Sequence, residues 1–170
     1  MSLQAAVVVA SNRAAAGTYA DETGPLIAGW LREQGFDCGD PTVVPDGDPV
    51  REAIAAAVAA GARLVLTTGG TGLTPTDRTP EATAPLLDRE VPGIAEAIRA
   101  AGVAKGVPTA MLSRGLAGIA GDCLVVNLPG SRGGVKDGLA VVVPLLRHAV
   151  EQVVGSDHPR DDDQDRTAQP

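Results

Sequence analysis

The sequence predicts an α/β fold, a three-layer α/β/α arrangement around a mostly parallel sheet, and three observations carry that expectation. A continuous apolar run at residues 5–10 and the largely apolar segments 63–68 and 123–128 suit strands buried on both faces. Segments with helical spacing lie between them, and two of these open with a cap-type residue before a proline, at Asp48-Pro49 and Thr79-Pro80. The apolar runs empty into loops of small polar residues and glycine, and ligands of such sheets bind beyond the carboxyl ends of the strands.

Taken in order, residues 5–10 form the first strand, which breaks at Ser11-Asn12-Arg13 into a small-residue loop ending at Gly17. Residues 24–34 read as a helix with Leu26, Ile27, Trp30 and Leu31 on one side, and 36–44 as a second extended segment. Asp48 caps an alanine-rich helix over 50–60, followed by the strand at 63–68. Thr79 caps a helix that runs to residue 101 with a break near Pro92-Gly93; 109–112 is a short extended piece and 123–128 a buried strand. From Ser131 a helix reaches about Val154, with Val135, Leu139, Val142, Val143, Leu146, Val150 and Val153 at helical spacing. Pro144 either bends that helix or marks its real start. The domain therefore covers residues 1–154. Residues 155–170 read as a disordered acidic tail, because 157–170 hold five aspartates and two arginines with almost nothing apolar.

Composition bounds the function. The chain has 170 residues, 44% of them apolar, which is enough for one core. Tyr19, Trp30 and Phe36 are its only aromatic residues, so it has no stacking platform for unpaired bases. A net charge of −7 argues against nucleic acid or an anionic membrane as partner. Cys38 and Cys123 lack the companions of a zinc site or a disulfide framework and read as buried, reduced thiols. No signal peptide and no apolar run of membrane-spanning length is visible, and a soluble cytoplasmic protein is expected.

The most informative stretch runs from Leu64 to Thr83. There an apolar run meets Gly69, Gly70, Thr71 and Gly72, then Thr76 and Asp77, then a helix start. The glycines let the main chain approach an anion, and their N–H groups with the hydroxyls of Thr67, Thr68, Thr71 and Thr76 are candidate donors. Asp77 stands where it can hold a divalent cation against a bound phosphate. The loop has no Gly-Lys-Ser/Thr ending, so it is not a Walker A loop, and its glycine spacing is wrong for a dinucleotide fingerprint. The plainer reading is a strand-to-helix turn. Asp46-Gly47-Asp48-Pro49 repeats the pattern of Asp77-Arg78-Thr79-Pro80, so two carboxylates are expected to face one crevice, although Asp46 can equally serve a turn hydrogen bond to its own backbone. The crevice is completed by the loops at Ser11–Arg13 and at 127–131, with Pro129, Gly130 and Ser131 as candidate contacts. Arg114 and Lys136 can meet phosphate or simply be solvated, while His148 and His158 read as surface positions and not as a base or metal ligands.

These residues resemble the molybdopterin adenylyltransferases of the MogA/MoaB type. The landmarks are Ser11-Asn12-Arg13, Thr23-Gly24-Pro25, Val44-Pro45-Asp46, Thr67 to Gly72 through Asp77-Arg78-Thr79-Pro80-Glu81-Ala82, Arg89 to Gly93, Leu112-Ser113-Arg114 with Ala117-Gly118, and Val126 to Gly130, running in order over residues 5 to about 154.

The resemblance implies a homotrimer that takes molybdopterin and ATP with Mg²⁺, transfers AMP to the terminal phosphate of the pterin and releases pyrophosphate. A downstream molybdenum-insertion protein is implied as partner. On this basis Asp46 and Asp77 are the catalytic, metal-holding pair, Ser113 a pterin and phosphate contact, and Gly69 to Gly72 the nucleotide and phosphate contacts. Asn12 departs from the family, many members of which carry aspartate there. A surplus apolar face around Ile94, Ile98 and Val103 is the candidate trimer surface. Two other functions fit less well. A carrier or scaffold that binds molybdopterin without transfer is opposed by the presence of Asp46, Asp77 and Ser113, and an unrelated nucleotide-dependent enzyme by the absent loop lysine.

Overall fold

The computed structural model describes residues 3–155, so the acidic tail expected from 155 onward lies, beyond Gly155, outside the described residues. Seven strands follow in chain order: β1 (Leu3–Ala10), β2 (Phe36–Cys38), β3 (Thr42–Val44), β4 (Leu64–Thr68), β5 (Arg89–Glu90), β6 (Ala117–Ala120) and β7 (Cys123–Leu128). Six α-helices join them: α1 (Asn12–Ala15), α2 (Thr23–Glu33), α3 (Asp48–Ala59), α4 (Thr79–Thr83), α5 (Pro92–Ala104) and α6 (Arg132–Val153). The sheet order is β2-β1-β4-β7-β6-β5, with β3 also on β1. The strands β1 to β4 and β7 run parallel; β6 is antiparallel to β7, and β5 to β6.

The pleat divides the core into two. Val7, Val9, Leu64, Leu66, Leu124, Val126 and Leu128 face one way and pack with Ile27 and Leu31 of α2, Ile94 and Ile98 of α5 and Val135, Leu139, Val142 and Leu146 of α6. Val8, Ala10, Val65, Cys123 and Val125 face the other way, onto Val50 and Ile54 of α3. Successive strand residues thus serve opposite layers, which makes the strands read as unbroken apolar runs and gives the expected three-layer architecture.

Several expected elements take a different form. The extended segment 36–44 is two strands, because the chain leaves β1 at Gly39-Asp40-Pro41, where Arg32 satisfies the freed carbonyls of Cys38 and Gly39 at 2.7 and 2.8 Å. Asp48 is the first helical residue, not the cap; Gly47 occupies that place with φ 96°, a conformation that favours glycine. Thr79 is likewise the first residue of α4, and Arg78 precedes it.

The helix expected over 79–101 ends at Thr83. It gives way to a 3-10 turn at Ala84–Leu86, and then the chain is drawn to the sheet edge, where Asp88 and Val91 donate N–H groups to Ile119 and Ala117 at 2.7 and 2.8 Å. Residues 109–112 are part of a 3-10 turn, Pro108–Leu112, not an extended piece. Pro144 lies inside a continuous α6 and does not mark its start. Pro144 and Ala140, whose carbonyl loses its helical partner, are both exposed, so water can take up that carbonyl. Ile94 and Ile98 are core residues and not a surplus face; of the expected trimer patch only Val103 is exposed. Among the described residues no helix is long and apolar enough to cross a membrane.

Candidate active site

The carboxyl ends of β1, β4 and β7 hold the glycine loop, and its shape is set by hydrogen bonds that leave little freedom. Thr68 Oγ1 donates to the Pro129 carbonyl at 2.8 Å, and Thr79 Oγ1 donates to the Gly69 carbonyl at 2.9 Å while its N–H reaches the Gly70 carbonyl at 2.9 Å. Buried Asn127 ties three segments together, donating to Thr67 and Thr83 hydroxyls at 3.0 and 3.1 Å and accepting the Leu116 N–H at 3.0 Å. The hydroxyl of Thr67, inside the core, is therefore spent on the frame, and the expectation that it serves a ligand fails; Thr68 is equally tied to the frame but lines the smaller of two compartments beside the loop. Gly69 (φ +87°) packs on the end of β1 against the Ala10 carbonyl, and Gly130 packs on Gly69, so the 69–72 and 129–131 loops form one continuous wall.

Asp46 and Asp77 meet at this wall. A β-carbon at Gly70 would fall 2.5 Å from Asp46 Oδ1, and one at Gly72 would fall 2.7 Å from Asp77 Oδ2. Burial, and next the Asp77 charge, push the Asp46 carboxyl above the ordinary aspartate range. Asp46 Oδ1 is buried without a hydrogen-bond partner, while the backbone N–H groups of Asn12 and of Asp46 itself act on the carboxyl in the opposite, lowering direction, so the turn contact that was its alternative role stands beside the orphaned oxygen. Asp77 closes a turn as well: its Oδ2 accepts from the Thr74 hydroxyl at 2.6 Å and the Thr74 N–H at 3.1 Å. A carboxylate with an orphaned buried oxygen that also feels the charge of a second carboxylate is unfavourable unless a cation offsets it. Among the described residues no group of three or more acidic, histidine or cysteine side chains is placed to hold a metal.

The wall separates two compartments. The larger, about 420 Å³, is lined by Gly70, Thr71, Gly72, Asp77, Ser113, Pro129, Gly130 and Ser131, and on its far side by Ile98, Arg99, Val107, Leu112 and Asp137. The smaller, about 310 Å³, shares Gly130 and Ser131 and adds Thr68, Gly69, Ser11, Tyr19 and two charges of each sign, Arg13 and Arg132 with Asp21 and Glu22. Ser131 caps α6 by accepting the Gly134 N–H at 3.0 Å, which aims that helix N-terminus at both spaces.

Most candidates of the sequence thus converge on these spaces; Asp46 sits against Gly70 without lining either of them, and Thr67, Thr76, Lys136 and Arg114 do not line them. Thr76 is exposed, lines neither space and only reaches the Thr74 hydroxyl at 3.4 Å. Lys136 is exposed in a groove beside Trp30, away from the cleft. His148 is exposed on α6, and His158 lies outside the described residues. Arg114 does not line the cleft, and although its side chain is about a third exposed it is engaged by the loop: its Nε donates to the Gly72 carbonyl at 2.8 Å and its Nη2 to the Asp77 carbonyl at 2.7 Å, with Glu81 paired to Nη1. Burial raises both thiols, Cys123 to about 12, which leaves them inert. Arg99 and Asp137 had no signal in the sequence, since each is one charged residue on an otherwise ordinary helix. Arg99 holds the Ser113 and Gly115 carbonyls at 3.2 and 3.1 Å from within the larger compartment.

Residues 6–148 match the family model described as "Probable molybdopterin binding domain". A molybdenum cofactor biosynthesis bifunctional protein of Synechococcus elongatus is 45% identical over 155 residues, covering 91% of this chain and 48% of that protein. A molybdopterin adenylyltransferase of Haemophilus influenzae is 39% identical over 141 residues, covering 81% of this chain and 71% of that protein. The solved molybdopterin biosynthesis Mog protein of Mycobacterium ulcerans superposes with a TM-score of 0.86 at 53% identity, covering 89% of this chain and 99% of that one. The chain spans about half the length of the bifunctional relatives it matches.

Proposed function

The chain belongs to the molybdopterin-binding domain family of molybdenum cofactor biosynthesis, and from that premise we propose that it transfers an adenylyl group from Mg-ATP to the terminal phosphate of molybdopterin. The observation that supports this reading is the pair of compartments on either side of one glycine wall, with Asp77 against Gly72 and lining the larger space, and Asp46 against Gly70 on the same wall but lining neither space. The larger, mostly apolar space suits the pterin, and we assign the triphosphate to the smaller, where Arg13 and Arg132 stand beside Asp21 and Glu22 and Arg132 pairs with Glu22 at 3.8 Å.

In the reaction a phosphate oxygen of the pterin attacks the α-phosphorus of ATP. The new O–P bond forms as the bond to the bridging oxygen breaks, and pyrophosphate leaves with that electron pair. A phosphate monoester has a second pKa near ~6, so the nucleophile is already ionised and needs no general base. The obstacle is repulsion between two anions. Main-chain N–H groups of Gly70 to Gly72 and the α6 N-terminus offset that charge, and the wall fixes the line of attack. The orphaned Asp46 oxygen, on a carboxyl that also feels the Asp77 charge, fits a divalent cation that these two carboxylates would hold together with substrate phosphate oxygens, the usual manner for Mg²⁺. Such an ion supplies charge neutralisation between the phosphates.

The decisive assay incubates the protein with molybdopterin, ATP and Mg²⁺ and follows adenylyl-molybdopterin and pyrophosphate. Both should appear together, and ATP alone should not turn over. A protein that retains molybdopterin but forms no pyrophosphate is a carrier or scaffold instead. Alongside this activity we place a homotrimer, a cytoplasmic location and delivery of the product to a molybdenum-insertion protein. Exposed Leu73 and Met111, which line neither compartment, offer apolar surface for self-association. A stable monomer by light scattering at micromolar concentration removes the trimer.

A further inference from the structure

The larger compartment carries a second carboxylate that the chemistry above does not use. Asp137 projects from α6 into the cavity opposite Ile98, Val107 and Leu112. Its Oδ1 pairs with Lys105 at the end of α5, and its side chain keeps 21% exposure. The cap of α6 at Ser131 belongs to the phosphate end of the site, and Asp137 lies six residues on, about 9 Å along the helix axis. That distance is on the scale of a fused tricyclic ring. A half-exposed ion pair such as Lys105–Asp137 contributes only up to ~1 kcal/mol, so joining α5 to α6 does not by itself call for a carboxylate facing the cavity.

We infer that Asp137 selects the substrate of this compartment by accepting hydrogen bonds from the 2-amino-4-oxopyrimidine edge of a pterin. The inference rests on the proposed function for the phosphate end of the same ligand. The edge presents two adjacent N–H donors, and a carboxylate already paired through one oxygen keeps lone pairs for both. The apolar side chains cover the ring faces, and Asp137 supplies the few directed contacts that fix orientation. Adenine offers a donor beside an acceptor at its corresponding edge, which matches a carboxylate only once. A lumazine has a carbonyl where the pterin has its amino group, and that oxygen would face the Asp137 carboxylate without a proton between them.

The test compares 6-hydroxymethylpterin phosphate with 6-hydroxymethyllumazine phosphate by fluorescence titration of the full chain, together with KM for molybdopterin and for ATP. Wild type should prefer the pterin by about tenfold or more, since a site built for a donor rejects the analogue lacking it. Asp137→Asn, which keeps size but turns one acceptor into a donor, should abolish that preference and raise KM for molybdopterin by about tenfold while KM for ATP holds. Lys105→Met should keep the preference, because the cavity oxygen remains. Three results overturn the inference: a wild type that binds both probes alike, a Lys105→Met variant as impaired as Asp137→Asn, or an Asp137→Asn effect on ATP and not on the pterin. A wild type that discriminates the probes but forms no adenylyl-molybdopterin leaves Asp137 in its role and refutes the transfer reaction alone.

Discussion

The backbone N–H of Asp46 donates to the side-chain carbonyl of Asn12 at 3.0 Å, so the first residue of α1 holds the loop that carries the orphaned carboxylate. A neutral amide suits this place. Aspartate would accept the same hydrogen bond but would add a charge beside a carboxyl already raised by burial and by Asp77. Asn12→Asp should therefore push the Asp46 carboxyl higher still, and the acid limb of the adenylyl-transfer pH profile should move to higher pH than in wild type. An unshifted limb would show that Asp46 does not govern it.

Asp46 should also trade stability for function. Its folded-state pKa lies above the ordinary aspartate value of 3.8, so between the two the native state binds more protons and stability falls as pH rises through the raised value. At neutral pH the ionised group is thus unfavourable to the fold. Asp46→Asn is expected to melt at or above the wild-type temperature near pH 7.5, with the gap closing in acid, while its turnover drops. Melting curves at both pH values check the sign.

Asp77 closes a turn with Thr74. Asp77→Asn keeps an oxygen that can accept from Thr74 and removes only the charge. We expect turnover to fall by about 10²-fold or more with molybdopterin still bound, in line with loss of a preorganised electrostatic contact. Asp77→Ala should lose as much activity and several degrees of melting temperature besides. If the asparagine variant retained near wild-type transfer at saturating Mg²⁺, the metal-holding role would be wrong for this residue.

Gly70 combines φ +66° with an α-hydrogen in the place where any β-carbon would crowd Thr79 Oγ1 and Asp46 Oδ1. An alanine there is strained by about 1–3 kcal/mol before any clash is counted, and relief requires moving the carboxylate. Gly70→Ala is expected to lose both melting temperature and turnover. Gly29→Ala, in the interior of α2 with open space around the new methyl, should gain up to about 1 kcal/mol of stability. Similar melting temperatures for the two variants would contradict the crowding at Gly70.

The elements legible in the sequence are those whose signal is local. β1, β4 and β7 are buried on both faces and so read as apolar runs, and α6 repeats its apolar residues at helical spacing over 22 positions. The edge was not legible: β5 is two residues long, and Ala117-Gly118-Ile119-Ala120 shows no strand alternation because both of its faces are covered. Gly118 is there because a side chain would strike the Arg89 carbonyl on the neighbouring strand, a constraint set by a residue 29 positions away. The same division holds in the cleft. The glycine wall and its aspartates follow a repeated sequence pattern, whereas Arg99 and Asp137 reach the cavity only because α5 and α6 pack side by side.

Arg114 shows how the two sides of the larger compartment are kept in register. Its backbone N–H reaches the Thr71 carbonyl at 2.8 Å, and its guanidinium spans the Gly72 and Asp77 carbonyls and the Glu81 carboxylate. Ser113 on one side and Asp77 on the other are thus fixed by one planar group, a task that a lysine ammonium cannot perform because it is a single point and not a fork. Arg114→Lys should lower turnover by about 10- to 100-fold through misplacement, and amide exchange across 71–77 should quicken. Glu81→Gln should be milder, since that carboxylate is half exposed and its pair is screened. The Arg114 hydrogen bond holds the Glu81 carboxyl below its ordinary value of 4.5, so its contribution is present above that pH and fades as pH falls through the lowered value. The stability gap between wild type and Glu81→Gln should accordingly be seen at neutral pH and vanish in acid. An Arg114→Lys variant with wild-type exchange and turnover would leave the loop held by its threonine and asparagine bonds alone.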